Sequence, residues 1–258
     1  QGHRKDEIEE LSRTAMYPLA KGGKLNAYKL FLAKSIQLQR INGMLCEIFQ
    51  NDFLADNSAR NIRKYFIEKQ NVLQIDSFPE RDDVNRRVFE EVKMSVCILL
   101  ARNLELSDYA LTLNIWDDKY MSTGKKLTLL KSDLIKFDEA NLTIPLASNE
   151  EMVILKKVAG FPKLIEVGRC YEGEINLTFH KKYLHKEAVK NTPMIKGAAV
   201  QKWHIKKKMS QGEIEYLDVA KFAKENSSPK AEHYLQKRLV MQGITGIDEK
   251  WRLKMTML

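Results

Sequence analysis

One stretch, residues 25–100, constrains the fold more than any other part of the 258-residue sequence. In chain order it predicts a helix over 25–41, a strand over 44–49, a second helix, and strands over 72–75 and 94–100. The second helix is predicted to turn Ala59, Ile62 and Phe66 inward, with the basic residues Arg60, Arg63 and Lys64 on its outer face. Asn42-Gly43 ends the first helix by supplying a left-handed conformation. A strand, a helix and a second strand predict a right-handed crossover, and the third strand predicts an antiparallel edge hairpin. This order is typical of half of a doubly wound α/β domain.

Beyond Arg102 the pattern of apolar residues changes. Leu111, Leu113 and Ile115 alternate with polar residues, which predicts a small antiparallel addition over 108–130. A poorly patterned segment, 134–145, is the predicted domain boundary, and a short helix capped by Ser148 or Asn149 follows it. From Leu164 onward, short strand-like pieces alternate with basic loops. The predicted domains are a helix and linker over 1–24, an α/β part over 25–145, and a mixed α+β part over 146–258.

The formal net charge of +9 is concentrated in the last third of the chain. This charge favours a polyanionic partner without identifying one. A hydrophobic content of 44% with 30% charged residues is typical of soluble globular proteins, and neither a membrane-spanning run nor a secretory signal is recognisable. We therefore expect a cytoplasmic protein.

The three cysteines are far apart in the sequence and have no metal-ligand spacing. Cys46 and Cys97 lie in apolar strand-like runs, so both are predicted to be reduced core residues. Five histidines are scattered, and His180, His185 and His204 in the basic third are interpreted as surface or loop residues. No metal site is predicted.

Three runs in the first half carry a family resemblance. They are residues 26–31 with 42–45 (NAYKLF and NGML), residues 53–54 leading into 61–66 (FL and NIRKYF), and residues 88–99 (VFEEVKMSVCIL). Together they resemble the portion of adenine-specific DNA methyltransferases that follows the catalytic Asn-Pro-Pro-Tyr motif. In the second half, residues 169–179, 193–197 and 200–203 are similar in order and spacing to the target-recognition domain of type II restriction-modification enzymes.

The resemblance implies the later half of a doubly wound, Rossmann-like methyltransferase sheet, followed by a target-recognition domain that binds double-stranded DNA. It also implies methyl transfer from S-adenosylmethionine to an adenine amine, in an enzyme that is often fused to a nuclease. The sequence departs from the family because it has neither a Gly-rich cofactor loop nor an Asn-Pro-Pro-Tyr motif. We therefore expect the missing amino-terminal part of the same chain to be a partner, and we expect the native chain to continue past Leu258. This chain alone is expected to be catalytically silent and to bind no S-adenosylmethionine.

Phe89 is the most specific candidate for a functional site residue in the sequence. A methyltransferase acting on an exocyclic amine must extrude the adenine from the duplex, and the resemblance implies that the aromatic matching Phe89 packs against the flipped base. The alternative interpretation is that Phe89 is a residue of the hairpin core. Asn51, Asp52 and Phe53 follow a strand's carboxyl end, where α/β sheets bind ligands, but a cap and turn is the favoured interpretation.

The basic carboxy-terminal residues admit three interpretations: a solvated loop, phosphate contacts, or base readout. The DNA-binding candidates are Arg169, Glu172, Glu174, Asn176, Lys181, Lys182, Lys196, Gln201, Lys202, Lys206, Lys207, Lys208 and Gln242. Of these, the Arg, Asn, Gln and carboxylate side chains, together with Lys202, match the hydrogen-bonding edges of the major groove. Trp203 and His204 are interpreted as packing under a loop. The rival hypothesis is a stand-alone nucleic-acid-binding or interaction protein whose α/β half is structural.

Overall fold

A computed structural model describes residues 6–7, 10–11, 16–23, 26–79, 87–188, 192–206, 214–226, 233, 235–245 and 249–258. The chain divides into two compact units, Gln1–Lys163 and Leu164–Leu258. This division falls later than the boundary predicted at 145, because residues on both sides of 145 pack in the first unit. The N–H of Ile144 donates to the carbonyl of Leu54 at 2.8 Å, and Met152 is 5% exposed. The amino-terminal helix predicted before Pro18 lies largely outside the described residues, as does Leu25.

The first unit contains four helices and five strands within its described residues. The helices are α1 (Ala27–Leu38), α2 (Arg60–Lys69), α3 (Lys131–Asp138) and α4 (Asn149–Ala159), and the strands are β1 (Met44–Gln50), β2 (Asn71–Phe78), β3 (Val96–Arg102), β4 (Ala110–Trp116) and β5 (Gly124–Leu130). Asn42 has the predicted left-handed conformation, with φ of 60°. The prediction that Asn42-Gly43 ends the first helix is wrong, because α1 ends at Leu38 with the extended Gln39 as its cap and Asn42 lies in a separate turn before β1. Ser148 caps α4 in a reciprocal capping box with Glu151.

The five strands form one sheet in the order β1-β3-β2-β4-β5. β3 is antiparallel to both β1 and β2, so β1 and β2 run in the same direction without being neighbours. β2 and β4 pair in parallel, and β5 closes an antiparallel hairpin with β4. The antiparallel β2–β3 pairing and the β4–β5 hairpin are thus as predicted. The edge position predicted for β3 is wrong, because β3 is inserted between β1 and β2.

One face of this sheet carries the main hydrophobic core. Leu99, Leu111 and Leu113 are fully buried there, and the buried apolar residues of all four helices belong to the same cluster. Burial of each large apolar side chain contributes roughly 1.5–3 kcal/mol. The core therefore fixes the helices on this face, which we call the first face.

The second face of the sheet is more exposed near β1. Met44 and Ile48 are 48% and 43% exposed, and Cys46 between them is also exposed. The prediction that Cys46 is a core residue is wrong, because its side chain lies on the second face, whereas Cys97 lies on the first face and is buried. Among the described strands, β1 has a neighbour on one side only, so its other edge is free.

The second unit consists of short elements. They are α5 (Leu164–Val167), β6 (Leu184–His185), β7 (Thr192–Pro193), β8 (Val200–Gln201), β9 (His204–Ile205), β10 (Tyr216–Leu217), α6 (Val219–Glu225), β11 (Leu239–Met241) and β12 (Met255–Met257). β10 lies between β6 and β7, while β8–β9 and β11–β12 are separate antiparallel pairs. Tyr183 and Phe222, each 2% exposed, form a small core with edge-to-face rings 5.4 Å apart.

Candidate functional site

The carboxyl end of β1 is shaped by a 3-10 turn, Asn51–Leu54. Phe53 in this turn is 1% exposed and meets Phe49 and Phe66 edge to face at 5.1 and 5.9 Å. The N–H of Asn51 donates to the carbonyl of Ser95 at 3.0 Å. These contacts confirm the turn that was interpreted for residues 51–53. The cap is not confirmed, because the N-cap positions of this turn and of the two following helical elements are Gln50, Asp56 and Ala59.

The free edge of β1 borders an open hollow of about 400 Å³. The hollow is lined by Tyr28, Phe31, Cys46, Glu47, Ile48 and Phe49. Phe31 projects from α1 with 71% of its surface exposed, while Tyr28 stacks on Phe49 with ring centroids 5.7 Å apart. The Tyr28 hydroxyl is buried without a hydrogen-bond partner among the described residues. The edge therefore combines unpaired backbone with apolar side chains.

Phe89 lies in the described part of the β2–β3 connection and is 47% exposed. Its carbonyl accepts a hydrogen bond from the N–H of Val92 at 3.0 Å, and Arg87 donates to the carbonyl of Glu90 at 2.9 Å. These bonds hold the backbone in a tight turn while the aromatic ring remains accessible. The alternative of a buried hairpin core residue is wrong for Phe89, because Val92 and Met94 beside it are 39% and 44% exposed as well.

Gly22 and Gly23 serve packing rather than a cofactor cradle. Both have positive φ, and a Cβ on Gly23 would lie 2.6 Å from that of Ser58. The Lys29 ammonium, 1% exposed, donates to the carbonyls of Gly22 and Ser58 at 3.0 and 2.8 Å. Burial lowers the pKa of Lys29. Gly22 and Gly23 are thus closed by contacts with Ser58 and Lys29.

Several predicted base-reading residues of the second unit already have partners. Glu174 forms an ion pair with Arg238, whose Nε lies 3.1 Å from Oε1 and whose Nη2 donates to Oε2 at 3.4 Å. Oδ1 of Asn176 accepts hydrogen bonds from the N–H groups of Thr178 and Phe179. The hydrogen-bonding groups of Glu174 and Asn176 are therefore engaged within the second unit itself.

Arg169 and Glu172 lie in an exposed segment of the second unit. Arg169 lines a hollow of about 430 Å³ together with Ile165, Cys170 and Tyr171. The Tyr171 ring lies 4.5 Å from the ring of His233. This hollow offers one guanidinium beside apolar and aromatic surface.

The predicted lysines differ in how they are paired. Lys182 bonds Glu225 at 2.6 Å, and this hydrogen bond raises the pKa of Lys182. Lys196 pairs with Glu215 at 2.6 Å. Lys181 and Lys206 are exposed. Lys207 and Lys208 lie outside the described residues, so the structure leaves their prediction open.

Four of the predicted residues are brought together by the β8–β9 hairpin and the β11–β12 pair, since β12 packs against both β8 and β9. Gln201, Lys202 and Lys206 belong to or adjoin this hairpin, and Gln242 follows β11. The Gln242 side-chain oxygen is buried and has no hydrogen-bond partner among the described residues. Gln201 donates to the carbonyl of Val200 at 3.0 Å, so its carboxamide is partly engaged within the hairpin.

Two exposed tryptophans lie beside these residues, and the sequence analysis counted neither among the DNA-binding candidates. Trp203 is 71% exposed and Trp251 is 48% exposed, and His204 is exposed as well. The expectation that Trp203 and His204 pack under a loop is therefore wrong. The sequence does contain a feature that could have drawn attention to the two tryptophans, because the dipeptide Lys-Trp occurs twice, at 202–203 and at 250–251.

Neither a metal site nor a membrane-spanning helix is present in the described parts of the two units. Within them, no cluster of three or more His, Cys, Asp or Glu side chains is arranged to hold a metal ion. None of the helices found there is long and apolar enough to cross a membrane.

Comparison with protein families gives one match. Residues 2–84 match the family described as Eco57I restriction-modification methylase. A search of the curated proteins finds no match. The matched segment contains α1, β1, α2 and β2, which form the organising part of the first unit.

Three solved structures are similar to parts of the chain. A modification subunit of a putative type I restriction enzyme from Vibrio vulnificus YJ016 is 12% identical over 48% of this chain and 33% of its own, with a TM-score of 0.35. The type IIG restriction endonuclease BpuSI is 12% identical over 89% and 31%, with a TM-score of 0.44. The DrdV chain of a DrdV–DNA complex is 14% identical over 44% and 12%, with a TM-score of 0.30.

This chain spans about a third of the length of the first two solved chains. At TM-scores below 0.5 these structures do not establish a common fold, so the family match alone bears on function. That match relates the amino-terminal third of the chain to restriction-modification methylases.

Proposed function

We propose that this chain is the later part of an S-adenosylmethionine-dependent, adenine-specific DNA methyltransferase of a restriction-modification system. In this proposal the first unit supplies the later half of the doubly wound methyltransferase sheet, and the second unit is the target-recognition domain. The observation that carries the proposal is the family match over residues 2–84. It coincides with the helix, strand, helix and strand around which the first unit is built.

The free edge of β1 supports a partner from the same chain. Its unpaired backbone groups, together with the exposed Ile48 and Phe31, are suited to an added strand. The exposed apolar side chains Met44 and Ile48 on the second face near β1 support additional helices there, since contiguous exposed apolar surface is typical of an interface. In the proposal, the earlier half of the methyltransferase domain supplies both the strand and the helices.

S-adenosylmethionine belongs to the proposal through that earlier half. When bound, it supplies an electrophilic methyl group to the adenine amine. Gly22-Gly23 is not proposed to bind it, because Gly23 packs against Ser58 and the carbonyl of Gly22 accepts a hydrogen bond from Lys29. The contribution of this chain is therefore expected to be the base pocket and the DNA contacts. Isolated residues 1–258 are expected neither to bind S-adenosylmethionine nor to methylate DNA.

Phe89 is the proposed base-packing residue. An adenine turned out of the duplex requires an aromatic or apolar surface to replace its lost stacking. The accessible ring of Phe89, in a backbone turn fixed by the Val92 N–H, offers such a surface. The neighbouring Met94 extends the apolar area, because it is 44% exposed.

The second unit is proposed to bind double-stranded DNA through its basic residues. Lys182 and Lys196 are neutralised by carboxylates. The exposed Lys181 and Lys206 are therefore better suited to phosphate contacts, which position a protein on DNA without reading its sequence. In this proposal, base reading falls to residues such as Arg169, whose guanidinium can bond a guanine edge in the major groove.

The test is the salt dependence of duplex binding, measured by fluorescence anisotropy with a labelled duplex. Each phosphate contact contributes about 0.9 to the slope of log affinity against log salt. The double variant Lys181→Ala/Lys206→Ala should reduce this slope by about 1 to 2. The matched control is Lys125→Ala/Lys126→Ala, which removes the same charge from exposed positions of β5 in the first unit.

The control variant should keep the wild-type slope, because its lysines belong to the other unit. Undetectable duplex binding by the wild-type chain, or binding that is independent of salt, would contradict the proposed role of the second unit. A wild-type chain that methylates a duplex without any added protein would contradict the proposed division of the methyltransferase domain.

A further inference from the structure

The turn between β8 and β9 is a two-residue connection made by Lys202 and Trp203. Gln201 pairs with His204 across the hairpin, which leaves only these two residues at its tip. Trp203 has φ of 69°, in the left-handed region. Turns of this length normally place glycine, asparagine or aspartate at such positions. A bulky aromatic residue there is a conformational outlier, and outliers of this kind concentrate at functional sites.

The strained backbone of Trp203 is held from two sides. Its N–H donates to the carbonyl of Met255 at 2.9 Å, which ties the hairpin tip to β12. At the base of the hairpin, Val200 is 3% exposed, and the N–H of Lys206 donates to the carbonyl of Ala199 at 2.9 Å. The tip of the hairpin is therefore anchored by β12 and by a buried hairpin base.

The ring itself is presented to solvent. Trp203 is 71% exposed, and no aromatic ring among the described residues stacks on it. Burying this indole in the small core of the second unit would be favourable. The ring is instead exposed, so it is available to a partner that benefits from an aromatic face.

The charges around the ring indicate the chemistry of that partner. The Lys202 ammonium lies 3.5 Å from the centroid of the Trp251 ring and 6.0 Å from that of Trp203. The Lys250 ammonium lies 5.8 Å from the Trp251 ring. Two indoles and two ammonium groups thus form one surface, and nucleic acids offer both the π faces and the phosphates that such a surface recognises.

We propose that Trp203 stacks on an unpaired or displaced nucleobase of DNA bound to the second unit, while Lys202 and Lys250 contact the adjacent phosphates. The proposal rests on the proposed function of this unit in DNA binding, and it adds a second base contact distinct from that of Phe89. Stacking reads the face of a base and not its edge, so the contact tolerates any base. Its role is to hold distorted or opened DNA.

The experiment compares two DNA duplexes of the same sequence, one fully paired and one with a single unpaired nucleotide. Wild-type chain should bind the second duplex more tightly. Trp203→Ala should weaken binding to that duplex about 10-fold, within the range for one base–aromatic stack. Binding to the paired duplex should change less. Trp203→Phe should retain most of the preference because it keeps an aromatic face.

Two controls separate stacking from altered folding or charge. Phe179→Ala removes another exposed aromatic side chain of the second unit, 78% exposed, and should leave the preference unchanged. Trp203→Gly removes the ring and accepts the positive φ without strain, so it should bind like Trp203→Ala even if the alanine variant folds poorly. The salt slope should stay at its wild-type value in both Trp203 variants, since an indole displaces no counterions.

The possible results distinguish this inference from the proposed function. Wild-type binding that is salt-dependent, with no change in either Trp203 variant, would overturn the stacking role and leave DNA binding by the second unit intact. Absence of duplex binding by the wild-type chain would instead overturn the proposed function, and the stacking role with it. Loss of self-association in the variants, with DNA binding unchanged, would assign the ring to a protein interface and also overturn the proposal.

Discussion

The guanidinium of Arg63 donates a hydrogen bond from Nε to the carbonyl of Asn141 at 2.9 Å, which joins two points 78 residues apart in the chain. Nη1 of the same side chain donates to the carbonyls of Phe53 and Asp56 at 2.7 and 2.9 Å. Arg63 is 0% exposed, although the sequence places it on the predicted outer face of α2. The residue therefore connects α2 to the turn after β1 and to the segment before α4.

Replacing Arg63 should destabilise the first unit. Arg63→Ala leaves three carbonyls without their donor and opens a cavity, so the free energy of unfolding should fall by about 3 kcal/mol. Urea unfolding followed by circular dichroism measures this change. Arg60→Ala, on an exposed position of the same helix, is the matched control and should change stability by no more than about 0.5 kcal/mol. Equal stabilities of the two variants would show that the carbonyls find other donors.

Arg63 illustrates how far the sequence carries the fold. Helical spacing predicts α1 and α2, and Asn42-Gly43 correctly predicts the left-handed turn between α1 and β1. Spacing could not show that an arginine on α2 points inward, because this requires three acceptors from distant parts of the chain. The insertion of β3 between β1 and β2 was missed for a similar reason, since strand order depends on nonlocal pairing that no local pattern encodes.

The candidate site was predictable in its chemistry and less so in its geometry. The basic third, the Lys-Trp dipeptides and Phe89 are all visible in the sequence. Whether Trp203 is buried or exposed depends on which distant parts of the chain pack beside the hairpin tip, such as β12, and residue type alone does not show this. The pairing of Glu174 with Arg238 joins residues far apart in the chain and likewise has no local signal.

The three cysteines should differ in reactivity toward a thiol reagent such as DTNB. Cys46 and Cys170 are exposed and should react in the folded protein, whereas Cys97 is 0% exposed and burial raises the pKa of its thiol. Two thiols should therefore react quickly, and the third only on unfolding. Cys46→Ser should remove one rapid equivalent and Cys97→Ser the slow one. A slow reaction at Cys46 would mean that the second face near β1 is covered in solution.

Tyr109, which is buried, and Tyr28, which is partly buried, should make the first unit less stable at alkaline pH. Burial raises the pKa of Tyr28 and of Tyr109 above the ordinary value of 10.0, so the folded state keeps protons that the unfolded state releases. Their contribution to stability is complete below pH 10 and is lost as the pH rises further, by up to about 1.4 kcal/mol per pH unit for each group. Urea unfolding measured between about pH 8 and about pH 11 gives this loss of stability, because an unfolded tyrosine titrates near pH 10.

The variant Tyr109→Phe isolates one of the two groups. It removes the hydroxyl that donates to the carbonyl of Ile67 at 3.1 Å, so it should be less stable than wild type at neutral pH. Its stability should decline less steeply above pH 10. Tyr120→Phe alters a residue that is 74% exposed and should keep the wild-type slope. Parallel curves for wild type and Tyr109→Phe would contradict the assignment of this alkaline transition to Tyr109.

Phe89 and Phe78 provide a matched pair that separates a site residue from a core residue within one connection. Phe78 ends β2 and is 3% exposed, whereas Phe89 is 47% exposed. Phe78→Ala should lower the free energy of unfolding by about 3 kcal/mol, because it removes a buried ring. Phe89→Ala should change it much less, by about 0.5 kcal/mol, since nearly half of the Phe89 surface is already exposed to water. Thermal and urea unfolding of the two variants measure the difference. An equal loss of stability in the two variants would show that Phe89 is a core residue of the hairpin. It would also remove the main support for a role of Phe89 beside a flipped base.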